Sequence, residues 1–293
     1  MAHLDGKAIV ITGAGRGIGA ACALLAAAEG AAVVVNDIDG DHAQATVAEI
    51  QARGGRALAV VADVTEARAA SGLIDACVDS FGKIDGLVNN AAVVGRGALL
   101  DLDPALLRRV LEINVVGVAL CSAAAARHMA SQGTGAIVNV SSGAQCGIAN
   151  VGIYAASKGA VASFTYSWAL EFAGTSVRVN GFVPGKTATR MMEGHVATRG
   201  GPSAAIEALP PEANAPPILF LLSDASAGVN GQMLRFDGRR VTLMSHPAIV
   251  IPWADVSAQG IGGIAEAFAT DLTHRQMPLG IASVRLEPVK ATG

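Results

Sequence analysis

Through the first two-thirds of the chain, short apolar runs alternate with longer, Ala-rich stretches of helix length. Ala8 to Thr12, Ala32 to Asn36, Ala57 to Ala62, Ile84 to Asn89, Ala136 to Val140 and Val177 to Val183 are apolar almost throughout, which predicts strands covered on both faces. Between them, Gly17 to Glu29, Asp41 to Ala52, Glu66 to Phe81, Pro104 to Met129 and Val151 to Phe172 predict helices. Such alternation predicts an α/β fold with a parallel sheet. Right-handed crossovers then wind it doubly and leave ligands at the carboxyl ends of the strands.

The rhythm changes after Val183. Pro184 to Pro211 is irregular and rich in Gly, Thr, Met and Pro, and it directly follows a strand's carboxyl end. A ligand-covering lid is built in such a place, and an ordinary surface loop fits equally well. Glu212 to Leu222 predicts one more helix and Gly231 to Phe236 one more strand. These bounds give one domain over 1–238 and a carboxyl extension over 239–293. The extension holds a strand candidate, Arg240 to Met244, and a helix candidate, Ile261 to His274.

Composition narrows the class. The 293 residues are 52% hydrophobic and 15% charged, which excludes disorder and promises a large core. Lys plus Arg number 21 against 24 Asp plus Glu, a net charge of −3, so no general positive field exists to bind nucleic acid. Aromatics at 4% supply no stacking platform for single strands. The apolar stretches, such as Val115 to Leu120, read as too short and interrupted to span a bilayer. Asp5 and Lys7 precede the first apolar run, unlike a signal peptide. Cys22, Cys77, Cys121 and Cys146 are widely spaced, without CxxC or paired His, and read as structural thiols. The expectation is a cytoplasmic protein with no metal, no nucleic-acid partner and no membrane partner.

Candidate chemistry begins at Thr12-Gly13-Ala14-Gly15-Arg16-Gly17-Ile18-Gly19, between the first strand and the first helix. Glycines there let the backbone approach a pyrophosphate, whose charge meets the helix N-terminus. By itself the run is equally a plain strand–helix turn. Eighteen residues after Gly19, Asp37 ends the second strand, where a carboxylate accepts ribose hydroxyls and repels a 2′-phosphate. Arg16 argues the other way, but the fixed carboxylate outweighs a solvated cation, so NAD is expected over NADP. In Tyr154-Ala155-Ala156-Ser157-Lys158, positions four apart share a helix face, and an ammonium beside a phenol favours the phenolate. Alone, this pair is equally a surface contact. Ser142 closes the fifth strand twelve residues before Tyr154, and Ser141 competes for its role. Asn114 lies inside a long helix, where its amide needs a local partner; an ordered water linking Lys158 to solvent would be one.

Together these residues resemble the short-chain dehydrogenase/reductase family over about residues 5–238. Thr12 to Gly19 matches its TGxxxGxG, Asn89-Asn90-Ala91-Ala92 its NNAG segment with Ala92 for the usual Gly, and Asn114, Ser142, Tyr154 and Lys158 its tetrad. The resemblance implies a Rossmann-type sheet and hydride transfer between a secondary alcohol and a ketone. It also implies cofactor contacts at Gly13, Arg16, Gly17, Ile18, Gly19, Asp37, Asp63, Val64, Asn90, Ala91, Tyr154, Lys158, Pro184, Gly185 and Thr187. An apolar substrate is expected. Val33 to Asp37 and Ala208 to Pro216, with the extension, are similar to the (3R)-hydroxyacyl-CoA dehydrogenase branch, which adds acyl thioesters as a substrate class. A cofactor-binding regulator without turnover is the alternative of a different class; damage to the tetrad would mark it. The helices Pro104 to Met129 and Val151 to Phe172 are similar to those of four-helix interfaces in the family, so a homodimer or homotetramer is expected. Val241, Leu243, Ile249, Val250, Ile251, Trp253, Ile261, Ile264 and Phe268 make the extension too apolar for a solvated appendage. Burial over the substrate cleft or against a neighbouring subunit is expected.

Overall fold

The computed structural model describes residues 2–188, 208–247 and 260–275. Eight strands form one sheet in the order β3-β2-β1-β4-β5-β6-β7-β8. They span β1 Ala8–Ile11, β2 Ala32–Asp37, β3 Arg56–Val61, β4 Gly86–Asn89, β5 Thr134–Val140, β6 Ser176–Val183, β7 Met233–Phe236 and β8 Val241–Met244. Neighbours from β3 to β7 pair in parallel, and β8 returns antiparallel along β7. The strand order reverses between β1 and β4, and at this switch point a doubly wound sheet opens its ligand crevice.

The helices are α1 Gly17–Ala28, α2 Gly40–Ala52, α3 Ala67–Phe81, α4 Pro104–Leu111, α5 Gly117–Gln132, α6 Gly152–Glu171, α7 Ala215–Leu222 and α8 Gly260–Thr270. One apolar cluster joins α1, α2 and α7 to one face of the sheet, and a second joins α3, α5 and α6 to the other. Local chemistry sets the ends: Asp39 caps α2 by accepting from His42 N, and Asp103 caps α4 ahead of Pro104.

Four features depart from the sequence reading. The apolar run of β3 predicts burial, but as the edge strand it is half exposed, with Val61 57% accessible. The expected boundary at Gly238 falls inside the sheet, since β8 follows it and the compact unit ends at Met244. α4 and α5 are one unbroken run, Pro104 to Gln132, long and apolar enough by length and composition to cross a bilayer. Its inner side instead carries Cys121, Ala124, Ala125 and Met129 into the second core cluster. Finally, Val241, Leu243, Ile261, Ile264 and Phe268, expected to be covered, are exposed in the single chain. Ile249, Val250, Ile251, Trp253 and most of the proposed lid, 189–207, lie outside the described residues.

The residues from Ser245 onward form a second unit, in which α8 is followed by a 3-10 turn at Leu272–Arg275. This agrees with the helix expected over Ile261 to His274.

Candidate active site

Every predicted site residue lies at or just beyond the carboxyl end of a strand, or on a helix leaving that edge. Gly13, at φ +60, turns the chain out of β1 so tightly that a Cβ there would stand 2.8 Å from Ala91 Cα. A Cβ on Gly19 would strike the Gly13 carbonyl. Thr12 and Asn90 fasten this turn. Thr12 Oγ1 accepts from the N–H groups of Asn90 at 3.0 Å and Ala91 at 3.1 Å. Asn90 Nδ2 donates to the carbonyls of Thr12 and Gly13, both at 2.9 Å. The Asn90 amide therefore holds the loop, a use the sequence did not reveal.

The N-terminus of α1 is left open. Arg16 supplies no side-chain cap, no acid occupies the first turn, and the helical ladder begins only where Ala20 N donates to Arg16 O. The N–H groups of Gly17, Ile18 and Gly19 precede that ladder and face the positive end of the helix. Such an uncapped helix N-terminus has the geometry that receives anions. Asp37, 7% exposed, accepts from Gly15 N at 3.0 Å and Asp39 N at 3.1 Å, so its carboxylate is held beside the glycine-rich turn. Arg16 is exposed. Asp63 closes a turn by accepting from Thr65 N and Thr65 Oγ1. Val64 is buried so close to Gly117 that a Cβ there would meet its Cγ2 at 2.8 Å. Across the crevice, Pro184 and Gly185 follow β6. Buried Thr187 donates to the Gly185 carbonyl at 3.0 Å and accepts from Asn214 Nδ2 at 3.1 Å. Among the described residues, no group of three His, Cys, Asp or Glu gathers as a metal site.

Ser142, Tyr154 and Lys158 meet between β5 and α6. Burial pushes the Tyr154 phenol up, and a hydrogen bond with the Ser142 side chain pulls it partly back. Lys158 is 2% exposed; burial holds its ammonium down to about 8, and Nζ donates to the Val140 carbonyl at 2.7 Å. Nζ stands 5.8 Å from the centroid of the Tyr154 ring. Ser141 points elsewhere: it is buried, with Oγ 3.0 Å from the Lys158 carbonyl. Cys22, Cys77 and Cys121 are buried free thiols, and burial pushes Cys77 and Cys121 up to about 12, so these sulfurs are inert fillers.

Asn114 is buried and bonded within the chain. It sits in a π turn, Glu112–Val116, between α4 and α5, a distortion common at functional positions. Its Oδ1 accepts from Val93 N at 2.8 Å, while Nδ2 donates to Val93 O at 2.9 Å and Ser157 Oγ at 3.0 Å. Both Nδ2 protons and one lone pair of Oδ1 are thus engaged within the chain. It ties the strand-end loop to α6 between Tyr154 and Lys158. The sequence also missed a buried amide chain beneath the site. Asn89 donates to Ser122 Oγ at 2.8 Å and to Asn139 Oδ1 at 2.9 Å, and Asn139 donates to Thr165 Oγ1 at 3.1 Å.

A glycine-rich turn and open helix N-terminus at the switch point, beside a phenol, a lysine and a serine, fit a nicotinamide-dependent oxidoreductase acting on CH–OH groups. The family profile described as short chain dehydrogenase matches residues 7–200, and the chain belongs to that family. It is 42% identical over 239 residues to cis-4-hydroxycyclohexanecarboxylate dehydrogenase of Sinomonas cyclohexanicum, covering 79% of this chain and 95% of that protein. A short chain dehydrogenase structure from Mycobacterium avium superposes with a TM-score of 0.82 at 32% identity, covering 94% of this chain and 98% of its own. NAD+-bound xylitol dehydrogenase superposes at 0.76 with 33% identity, covering 80% of this chain and 99% of that one.

Proposed function

We propose that the protein interconverts an apolar, cyclic secondary alcohol and its ketone, with NAD as the cofactor and with Tyr154 handling the proton. The observation that carries this reading is the placement of the Tyr154 phenol against Ser142, with the buried Lys158 ammonium on the same helix. A bound nicotinamide would supply the hydride acceptor for oxidation and the hydride donor for reduction. Tyr154 removes the hydroxyl proton during oxidation and returns it during reduction. The Lys158 ammonium favours the phenolate electrostatically and would hold the nicotinamide ribose. Ser142 donates to the reacting oxygen as charge develops there. Asn114 anchors the helical turn that bears both Tyr154 and Lys158. Gly13, Gly17, Ile18 and Gly19 would cradle the pyrophosphate, Asp63 and Val64 would border the adenine, and Pro184, Gly185 and Thr187 would border the nicotinamide.

NAD is favoured because the Asp37 carboxylate is buried and held by two N–H groups. A phosphate placed about 4 Å from it would be repelled by on the order of 4 kcal/mol at an effective dielectric of about 20, more than a screened, exposed Arg16 returns. The cyclic substrate is supported by the named activity of the Sinomonas relative. Exposed Leu170 on α6 and Val116 beside α5 support assembly through these helices into a dimer or tetramer. A panel of cyclic alcohols, hydroxysteroids and 3-hydroxyacyl thioesters, followed by nicotinamide absorbance with NAD and NADP, tests the reading. NAD should outperform NADP strongly, and Asp37→Ala should narrow the gap. Preference for NADP in the native protein refutes the electrostatic ranking, and turnover confined to thioesters refutes the cyclic substrate.

A further inference from the structure

A set of contacts reaches the turn carrying Ser142 from the far edge of the sheet. β8 ends at Met244, whose sulfur accepts from Gln145 Nε2 at 3.2 Å. Gln145 Oε1 lies 3.1 Å from Ser141 Oγ, and that hydroxyl also lies 3.0 Å from the Lys158 carbonyl. A thioether has no proton to donate, so Met244 forces the Gln145 amide to face it with NH2 and to face Ser141 with oxygen. The Ser141 proton is then directed to oxygens on Gln145 and α6. Ser142, the next residue, is left to cap its own turn, accepting from Ala144 N at 3.1 Å while it bonds Tyr154. Beneath the turn, Met244 packs with Tyr166, Ala162, Val183 and Met233, a small cluster separate from both main cores.

We propose that Gln145 and Met244 are positioning residues: the first strand beyond the expected domain boundary braces the catalytic turn and holds the Ser142 hydroxyl against Tyr154. This rests on the reading of Ser142 and Tyr154 as partners, and the test separates the two. The chain has only two tyrosines, so protein labelled with 13Cζ-tyrosine gives two phenol resonances, assigned with Tyr166→Phe. The groups facing Tyr154 are Lys158 on its own helix and Ser142 on the turn, while Cys146 on the turn faces Tyr166. Because Ser142 pulls the Tyr154 phenol down, Ser142→Ala should raise its titration midpoint. Gln145→Ala and Met244→Ala should raise it in the same direction by about 0.5, a phenolate fraction about threefold smaller at a given pH. Met244→Leu keeps the bulk without the acceptor and should give a smaller rise, which guards against an Ala variant that folds poorly. NADH binding, read by fluorescence, should stay within about twofold of wild type, because the cradle is untouched. Unmoved Tyr154 titration in Gln145→Ala and Met244→Leu, with Ser142→Ala shifted, overturns the proposal. An unmoved titration in Ser142→Ala overturns the partnership itself.

Discussion

Lys158 shows how one residue serves chemistry at the expense of stability. Burial holds its ammonium down to about 8 from the usual 10.5, so the folded chain gives up that proton before the unfolded chain does. Stability contributed at this position therefore rises as pH climbs from about 8 towards 10.5, and the full penalty applies below 8. Relative to Lys158→Met, the native protein should gain up to about 3 kcal/mol across that window, measured by urea unfolding at a series of pH values. A constant difference would show that the ammonium is not desolvated. The motif spacing made this residue legible, because Tyr154 and Lys158 four apart on a helix can only share a face. The choice between Ser141 and Ser142 was not legible. It depends on which hydroxyl α6 and Gln145 engage, and those contacts are far away in sequence.

Elements are legible where hydrophobic period alone decides them. All six parallel strands and five helices predicted before Val183 are present within a few residues, since runs such as Val33 to Val35 are buried on both faces. What the pattern could not show was polar detail inside those elements. The π turn at Asn114 leaves no trace in apolar spacing. Asn89 and Asn139 sit directly opposite each other in β4 and β5, yet nothing local says that they bond. That chain fixes the strand ends on which the site is built, and every member is buried. Asn139→Leu should orphan an Asn89 donor and cost roughly 1–3 kcal/mol, read as a lowered urea midpoint with unchanged slope. An unchanged midpoint would mean that water or neighbouring groups replace the lost amide. The strand character of β8 is legible, but its side of the domain boundary is not, because its pairing to β7 is a tertiary fact.

On the scale of the whole molecule, the compact unit closes at Met244, with all proposed cofactor contacts upstream. Truncation after Met244 should leave NADH affinity and the unfolding transition of that unit nearly intact. Truncation after Gly238 removes β8 and the support of Gln145 as well, so it should lower kcat further than truncation after Met244 does. Equal kinetics from the two truncations would assign β8 no role. Light scattering on the same proteins reports whether residues beyond Met244 also hold subunits together, as the exposed Ile261, Ile264 and Phe268 suggest. The central claim, however, is that Tyr154 moves the proton in a hydride-transfer reaction. It is tested most directly by Tyr154→Phe, which removes one oxygen and keeps the ring. With the best alcohol from the substrate panel, NADH formation should fall by ~10²–10⁴-fold while NADH affinity stays at the native value. Turnover near that of the native protein would contradict the account.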